Sequence, residues 1–256
     1  MEQQTLIQSL VIAASVGVAS GAVGAFIILR RMALVGDALS HVALPGIALA
    51  LAFSIDPFWG VVVFLLGAAF LIWWLEEKTR LYGDAIVGLL FTTSLALGVI
   101  FIPDVELLES LFGEFPKLPL FEFSFIVLSA VAMGSLVFLF AGKFLFDIVA
   151  PELARIGDRS RFWDLLLLLV FSFTVALGIK LVGTLLMGAL TIIPASIAKN
   201  LARSTTGYIM LSVILGGVIS FGGALVASLY GFLPGPTIIL FGVGVFLLSL
   251  FARGKG

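Results

Sequence analysis

A carboxylate and an imidazole stand four residues apart near the start of this chain: Asp37 and His41, the latter its only histidine. They fall in Arg30-Arg31-Met-Ala-Leu-Val-Gly-Asp37-Ala-Leu-Ser40-His41-Val-Ala-Leu-Pro45-Gly46, and a helix sets both on one face. Carboxylate with imidazole is a borderline donor set suited to zinc, manganese or iron(II). The same pair also suits a proton relay. Pro45 has no N–H to give the carbonyl of residue 41, so Pro45-Gly46 is expected to break the helix beside the pair. Irregular backbone inside a membrane is tolerated where it lines a cavity. The competing reading is a packing hydrogen bond between Asp37 and His41, with Pro45-Gly46 as an ordinary kink. At 1.5 Å per residue from Arg30, Asp37 lies about 10 Å deep and His41 about 16 Å. That depth is near the middle of a hydrocarbon core about 30 Å thick. An ionisable group there is costly and must face protein or water.

The rest of the chain supplies the membrane. Of its 256 residues, 61% are hydrophobic and 11% charged, with a mean hydropathy of +1.26. A soluble domain is about 45–50% apolar and about 25% charged. These proportions exclude a soluble enzyme, a nucleic-acid module and a disordered regulator. The net charge of -1 gives no sign of a polyanion partner, and the absence of cysteine excludes thiolate metal sites. Twenty-eight glycines suit helices packed closely in lipid. Met1 to Thr5 carry no positive run, so the first apolar stretch is expected to be retained rather than cleaved.

Nine stretches are long and apolar enough to span: roughly 6–29, 33–53, 58–75, 85–103, 121–141, 164–179, 182–199, 208–230 and 236–252. The count falls to eight if the sixth and seventh form one broken or re-entrant element. With the N-terminus outside, the inner connections hold 12 of the 14 basic residues, leaving Lys117 and Lys180 outside. The positive-inside rule therefore predicts N-out, C-in. Residues 1–256 read as one all-α transmembrane domain. No Gly-x-x-x-x-Gly-Lys-Ser/Thr loop occurs. Any ATP hydrolysis must come from another chain, and no enzymatic activity is expected of this one.

Met32-Ala-Leu-Val-Gly-Asp37-Ala-Leu-Ser-His41-Val-Ala-Leu-Pro45-Gly-Ile-Ala resembles the signature of the zinc/manganese/iron family of ABC-transporter permeases. The resemblance continues through Gly83-Asp84-Ala-Ile-Val-Gly88, Ala96-Leu-Gly98, Phe146-Asp147 and Pro151-Glu152-Leu-Ala154-Arg-Ile-Gly157. It extends to Lys180-Leu-Val-Gly183-Thr-Leu-Leu, Ile192-Ile-Pro194-Ala-Ser-Ile-Ala and Leu233-Pro234-Gly235-Pro236-Thr237, covering nearly the full chain in order.

The resemblance implies the all-helical, type II importer fold shared with siderophore and cobalamin importers. It implies a homodimer in a prokaryotic cell membrane, two cytoplasmic ABC ATPase subunits and an extracytoplasmic metal-binding protein. Divalent manganese, zinc or iron would be cargo, ATP would be bound by the partner, and nucleic acid would have no part. Within it, Asp37 and His41 match the metal-pathway residues. Glu152, Ala154 and Gly157 match the segment that couples to the ATPase. The lack of a second histidine departs from the family's usual supply of ligands. The rival classes are a proton-coupled secondary metal transporter and an ABC permease for metal chelates or cobalamin.

Pro151 and Gly157 bracket a short helix below the membrane, which an ATPase groove can grip. The plainer reading is a basic loop that fixes topology. Asp104, Glu106, Glu109, Glu114 and Glu122 give the longest outer segment an acidic character. That character suits cation attraction or protein docking, or equally an amphipathic helix on the interface. Pro194 predicts a kink in the seventh span. Trp59, Trp73, Trp74 and Trp163 fit an interfacial belt.

Overall fold

The computed structural model describes residues 3–79, 81, 83–101, 111–113, 115, 118–150, 160–184 and 186–253. Ten helices are described. In order they are α1 (Gln3–Leu29), α2 (Ala33–Ala52), α3 (Pro57–Lys78), α4 (Gly83–Phe101) and α5 (Leu120–Leu139). There follow α6 (Ala141–Val149), α7 (Ser160–Val182), α8 (Met187–Leu201), α9 (Thr205–Tyr230) and α10 (Pro234–Arg253).

Eight of these have the length and hydropathy of membrane spans. The two others differ in kind. α6 has nine residues and lies between α5 and α7, anchored by buried Phe144. α8 has 15 residues, about 22 Å at 1.5 Å each, short of a ~30 Å core. The expected pair 164–179 and 182–199 is thus one long helix and one short one. Their junction turns at Gly183, whose φ of +85° favours glycine.

α1, α2 and α7 form the buried centre, while α4, α5 and α10 show most of their surface to the surroundings. Large apolar side chains such as Ile100, Phe121 and Phe251 stand on that outer surface, as suits contact with lipid. α1 packs most extensively on α9, and α2 on α3 and α4. Lipid gives little hydrophobic drive to such contacts, so close packing and interhelical hydrogen bonds must hold them. On the α1–α9 seam Tyr208 donates its hydroxyl to the Ala25 carbonyl at 3.0 Å, and Ser212 to that of Gly21 at 2.6 Å.

One end of the bundle is tied by charge. Arg30, just past α1, pairs with Asp164 of α7 at 2.7 Å. Arg161 pairs with Glu77 of α3, and its guanidinium lies 4.7 Å from the centre of the Trp73 ring. Trp73 in turn donates Nε1–H to the Arg161 carbonyl at 2.9 Å. Asp164 and Arg161 sit in the first two turns of α7, which therefore starts about four residues before its apolar run. The partners from α1 and α3 make that polar start tenable.

Candidate metal pathway in the second helix

α2 runs unbroken from Ala33 to Ala52, through Pro45. The expected helix break at Pro45 and Gly46 is thus only a missing hydrogen bond, which leaves the carbonyl of His41 without its helical donor. Gly46 serves packing instead. A Cβ there would meet the Gly60 carbonyl oxygen of α3 at 2.6 Å, so only glycine lets the two helices approach this closely.

His41 is the ninth of the 20 residues of α2 and is 5% exposed. Its ring packs edge-on with Phe91, itself near the middle of α4, at a centroid distance of 4.9 Å and an interplanar angle of 87°. Nδ1 is buried without a hydrogen-bond partner. Asp37, one turn earlier and partly exposed, is close enough to act on the ring electrostatically. No hydrogen bond joins the two among the described residues, so the packing hydrogen bond expected as the plainer alternative is not made. A buried donor or acceptor left unmade costs about 1–3 kcal/mol. That cost makes the bare Nδ1 of His41 a candidate ligand atom.

Asp37 is fixed from behind by α8. A Cβ on Gly188 would lie 2.8 Å from the Asp37 amide nitrogen and 2.9 Å from its Cα. One turn along, Thr191 hydrogen-bonds the Gly188 carbonyl at 2.7 Å, and its Oγ1 would lie 3.1 Å from a Cβ on Gly36. The short helix α8 thus props the first turns of α2. Among the described residues no three His, Cys, Asp or Glu side chains come together as a metal cage. Within one protomer, Asp37 and His41 are two candidate donors.

An open groove of about 410 Å³, lined by neither Asp37 nor His41, lies between α2, α3 and α4. Val42 and Pro45 line it from α2, Gly67 from α3, and Thr93, Ser94 and Leu97 from α4. Thr93 and Ser94 are the polar residues lining this space, and the sequence reading passed over them. The run Phe91-Thr-Thr-Ser94 in mid-span was the available signal. Glu152, Ala154 and Gly157, the residues expected to couple to an ATPase, lie outside the described residues, as do Asp104, Glu106, Glu109 and Glu114 of the acidic outer loop. α6, which precedes residues 151–159 in the chain, packs Phe144 against Phe26 of α1 at 5.6 Å and Trp163 of α7 at 6.1 Å.

A multi-pass helical membrane protein with a buried histidine in mid-span and a partly exposed aspartate one turn away has the architecture of a transport permease. Residues 2–253 match the model of the ABC 3 transport family, and the chain belongs to that family. It is 31% identical to the high-affinity zinc uptake system membrane protein ZnuB of Haemophilus influenzae, over 91% of each chain. It is 30% identical to the manganese transport system membrane protein MntC of Listeria innocua, over all of this chain and 94% of that one. Among solved structures, PsaBC from Streptococcus pneumoniae in complex with Fab superposes with a TM-score of 0.82 at 31% identity. That superposition covers 98% of this chain and 92% of the other. The chain is therefore the permease subunit of a metal ABC importer of the zinc and manganese type.

Proposed function

We propose that this permease works as a homodimer and admits hydrated manganese, zinc or iron(II) along α2, with Asp37 and His41 as transient ligands. The observation that carries the reading is the bare, buried Nδ1 of His41 one helical turn from a carboxylate. Two protomers supply two carboxylates and two imidazoles, a sufficient donor set for such an ion. A carried ion must also leave, so a weak and partly hydrated site serves better than a closed cage. The names of the zinc and manganese relatives support a divalent transition metal as cargo.

The energy comes from two ATPase subunits on the end that carries Arg30 and Lys78, which the basic-residue bias assigns to the cytoplasm. They grip the segment holding Glu152, Ala154 and Gly157. Its movement passes through α6 and Phe144 to α1 and α7, and so to the turn that leads into α2. A metal-binding protein delivers the ion to the opposite face. Gly157→Trp is expected to lower transport and metal-stimulated ATP hydrolysis together while the permease dimer still assembles on size-exclusion chromatography. Failure of the dimer itself would assign Gly157 to folding.

The test of the metal role is ATP-dependent uptake by proteoliposomes holding the full complex, for wild type, Asp37→Asn and His41→Ala. Uptake that survives loss of ATP but collapses with the proton gradient would instead make the pair a proton relay.

A further inference from the structure

Lys180 is one of two basic residues that escape the bias of the others, and it stands two residues before the end of α7, away from the Arg30 end. An ammonium this near hydrocarbon needs a reason to be there. Its Nζ lies 3.4 Å from the Glu122 carboxylate of α5 and 5.9 Å from the centre of the Phe58 ring of α3. Glu122 engages one of its three donors, and at a loose distance.

Around it, α3 and α5 each pack on α7 and leave a groove between them. The groove encloses about 360 Å³, within the range of small-ligand pockets of roughly 300–1,000 Å³. Phe58, Trp59 and Phe125 wall it, with ring centres 6.1 Å apart for Phe58 and Phe125 and 6.4 Å for Trp59 and Phe125. Among the described residues, Asp56 and Glu122 add two carboxylates to the single cation. Asp56 gives one oxygen to the Phe58 amide at 2.7 Å, as the cap of α3, and keeps the other.

The groove lies where three helices end, the level at which lipid headgroups meet protein. Its charges call for an occupant with both signs. A phosphate suits the free donors of Lys180. An ammonium suits the carboxylates, and the aromatic faces attract the same cation. A headgroup with phosphate alone would face two carboxylates without compensation. A quaternary ammonium would have no N–H to give them. The exposed apolar flank of α5, Phe121 and Leu128, continues from the groove along the direction acyl chains take.

We propose that this groove is a binding site for a phospholipid with a primary ammonium headgroup, of the phosphatidylethanolamine class. Lys180 holds the phosphate, and Glu122 and Asp56 hold the ammonium among the faces of Phe58, Trp59 and Phe125. The site is separate from α2 and independent of which metal is carried.

The test uses the full permease, equilibrated with vesicles of equal parts phosphatidylethanolamine, phosphatidylglycerol and phosphatidylcholine, then purified and examined by native mass spectrometry. Phosphatidylethanolamine is expected to be retained about tenfold over each of the others, as one charge-assisted hydrogen bond allows. Lys180→Met and Glu122→Gln should abolish the preference, and Lys180→Arg should keep it. Trp59, 55% exposed, is replaceable by Leu without disturbing the fold, and Trp59→Leu should weaken retention even if Lys180→Met does not fold. Equal retention of the three lipids, a preference for either competitor, or an unchanged preference in both Lys180→Met and Trp59→Leu would overturn the proposal.

Discussion

Replacing Gly188 with alanine adds one methyl group where α8 meets the backbone of α2. The new Cβ would sit 2.8 Å from the Asp37 amide nitrogen and 2.9 Å from both Asp37 Cα and the Gly36 carbonyl carbon. All three are backbone atoms, so no side chain can swing aside. Ordinary contact begins near 3.4 Å, and the helices must separate by at least 0.6 Å (3.4 less 2.8). Overpacking of this kind costs about 1–3 kcal/mol. For a chain of this size each kcal/mol lowers Tm by about 2–4 °C, so Gly188→Ala should melt about 2–12 °C below wild type. The same shift moves Asp37 from the position that α8 sets for it, and uptake should fall more than the loss of folded protein explains. Thermal unfolding in detergent and uptake by proteoliposomes read the two effects separately. Gly244→Ala is the control, because a Cβ there meets open space on an exposed face of α10. The helix propensity of alanine should leave it neutral or up to about 1 kcal/mol more stable. Wild-type melting and wild-type uptake in Gly188→Ala would refute the claim that α8 positions Asp37.

Two further outcomes follow from the same packing. Arg30→Met leaves Asp164 without its partner at 2.7 Å. With 16% and 28% of the two side chains exposed, the loss should be about 1–3 kcal/mol, below that of a fully buried pair, measured as a fall in Tm. Ser204→Ala removes the side-chain cap that accepts from the Gly207 amide at 3.1 Å. It should cost α9 about 1 kcal/mol, whereas Ser204→Asp should hold wild-type stability in the same melt.

The spans were legible because lipid forces each one to be apolar along its whole length, a signal that needs no knowledge of neighbours. Their edges were less so. α7 begins at Ser160 rather than 164 because Asp164 and Arg161 find partners on other helices, and no local pattern reveals a pairing across 84 residues such as Arg161 with Glu77. α8 starts at Met187 rather than 182 because Gly183 turns with a positive φ inside a continuous apolar stretch. Pro45 misled in the opposite sense. Proline removes one hydrogen bond, yet α2 stays helical through it, with Gly46 packed closely on Gly60.

At the site, Asp37 and His41 stood out by residue type and spacing alone. What surrounds them did not. Phe91 against the imidazole and Gly188 behind Asp37 are long-range contacts, and the bare state of Nδ1 is a property of the folded packing. Lys180 was visible as an exception to the charge bias, but the aromatic groove around it needed three helices to be brought together.

The central claim is that Asp37 and His41 carry the metal. Its most direct test is ATP-dependent uptake of manganese, zinc and iron(II), by elemental analysis, into vesicles holding the permease with its ATPase. Wild type should accumulate at least one of the three, while Asp37→Asn and His41→Ala should lose that uptake with the complex still assembled. Undiminished uptake in both variants would remove the pair from the pathway and contradict the account.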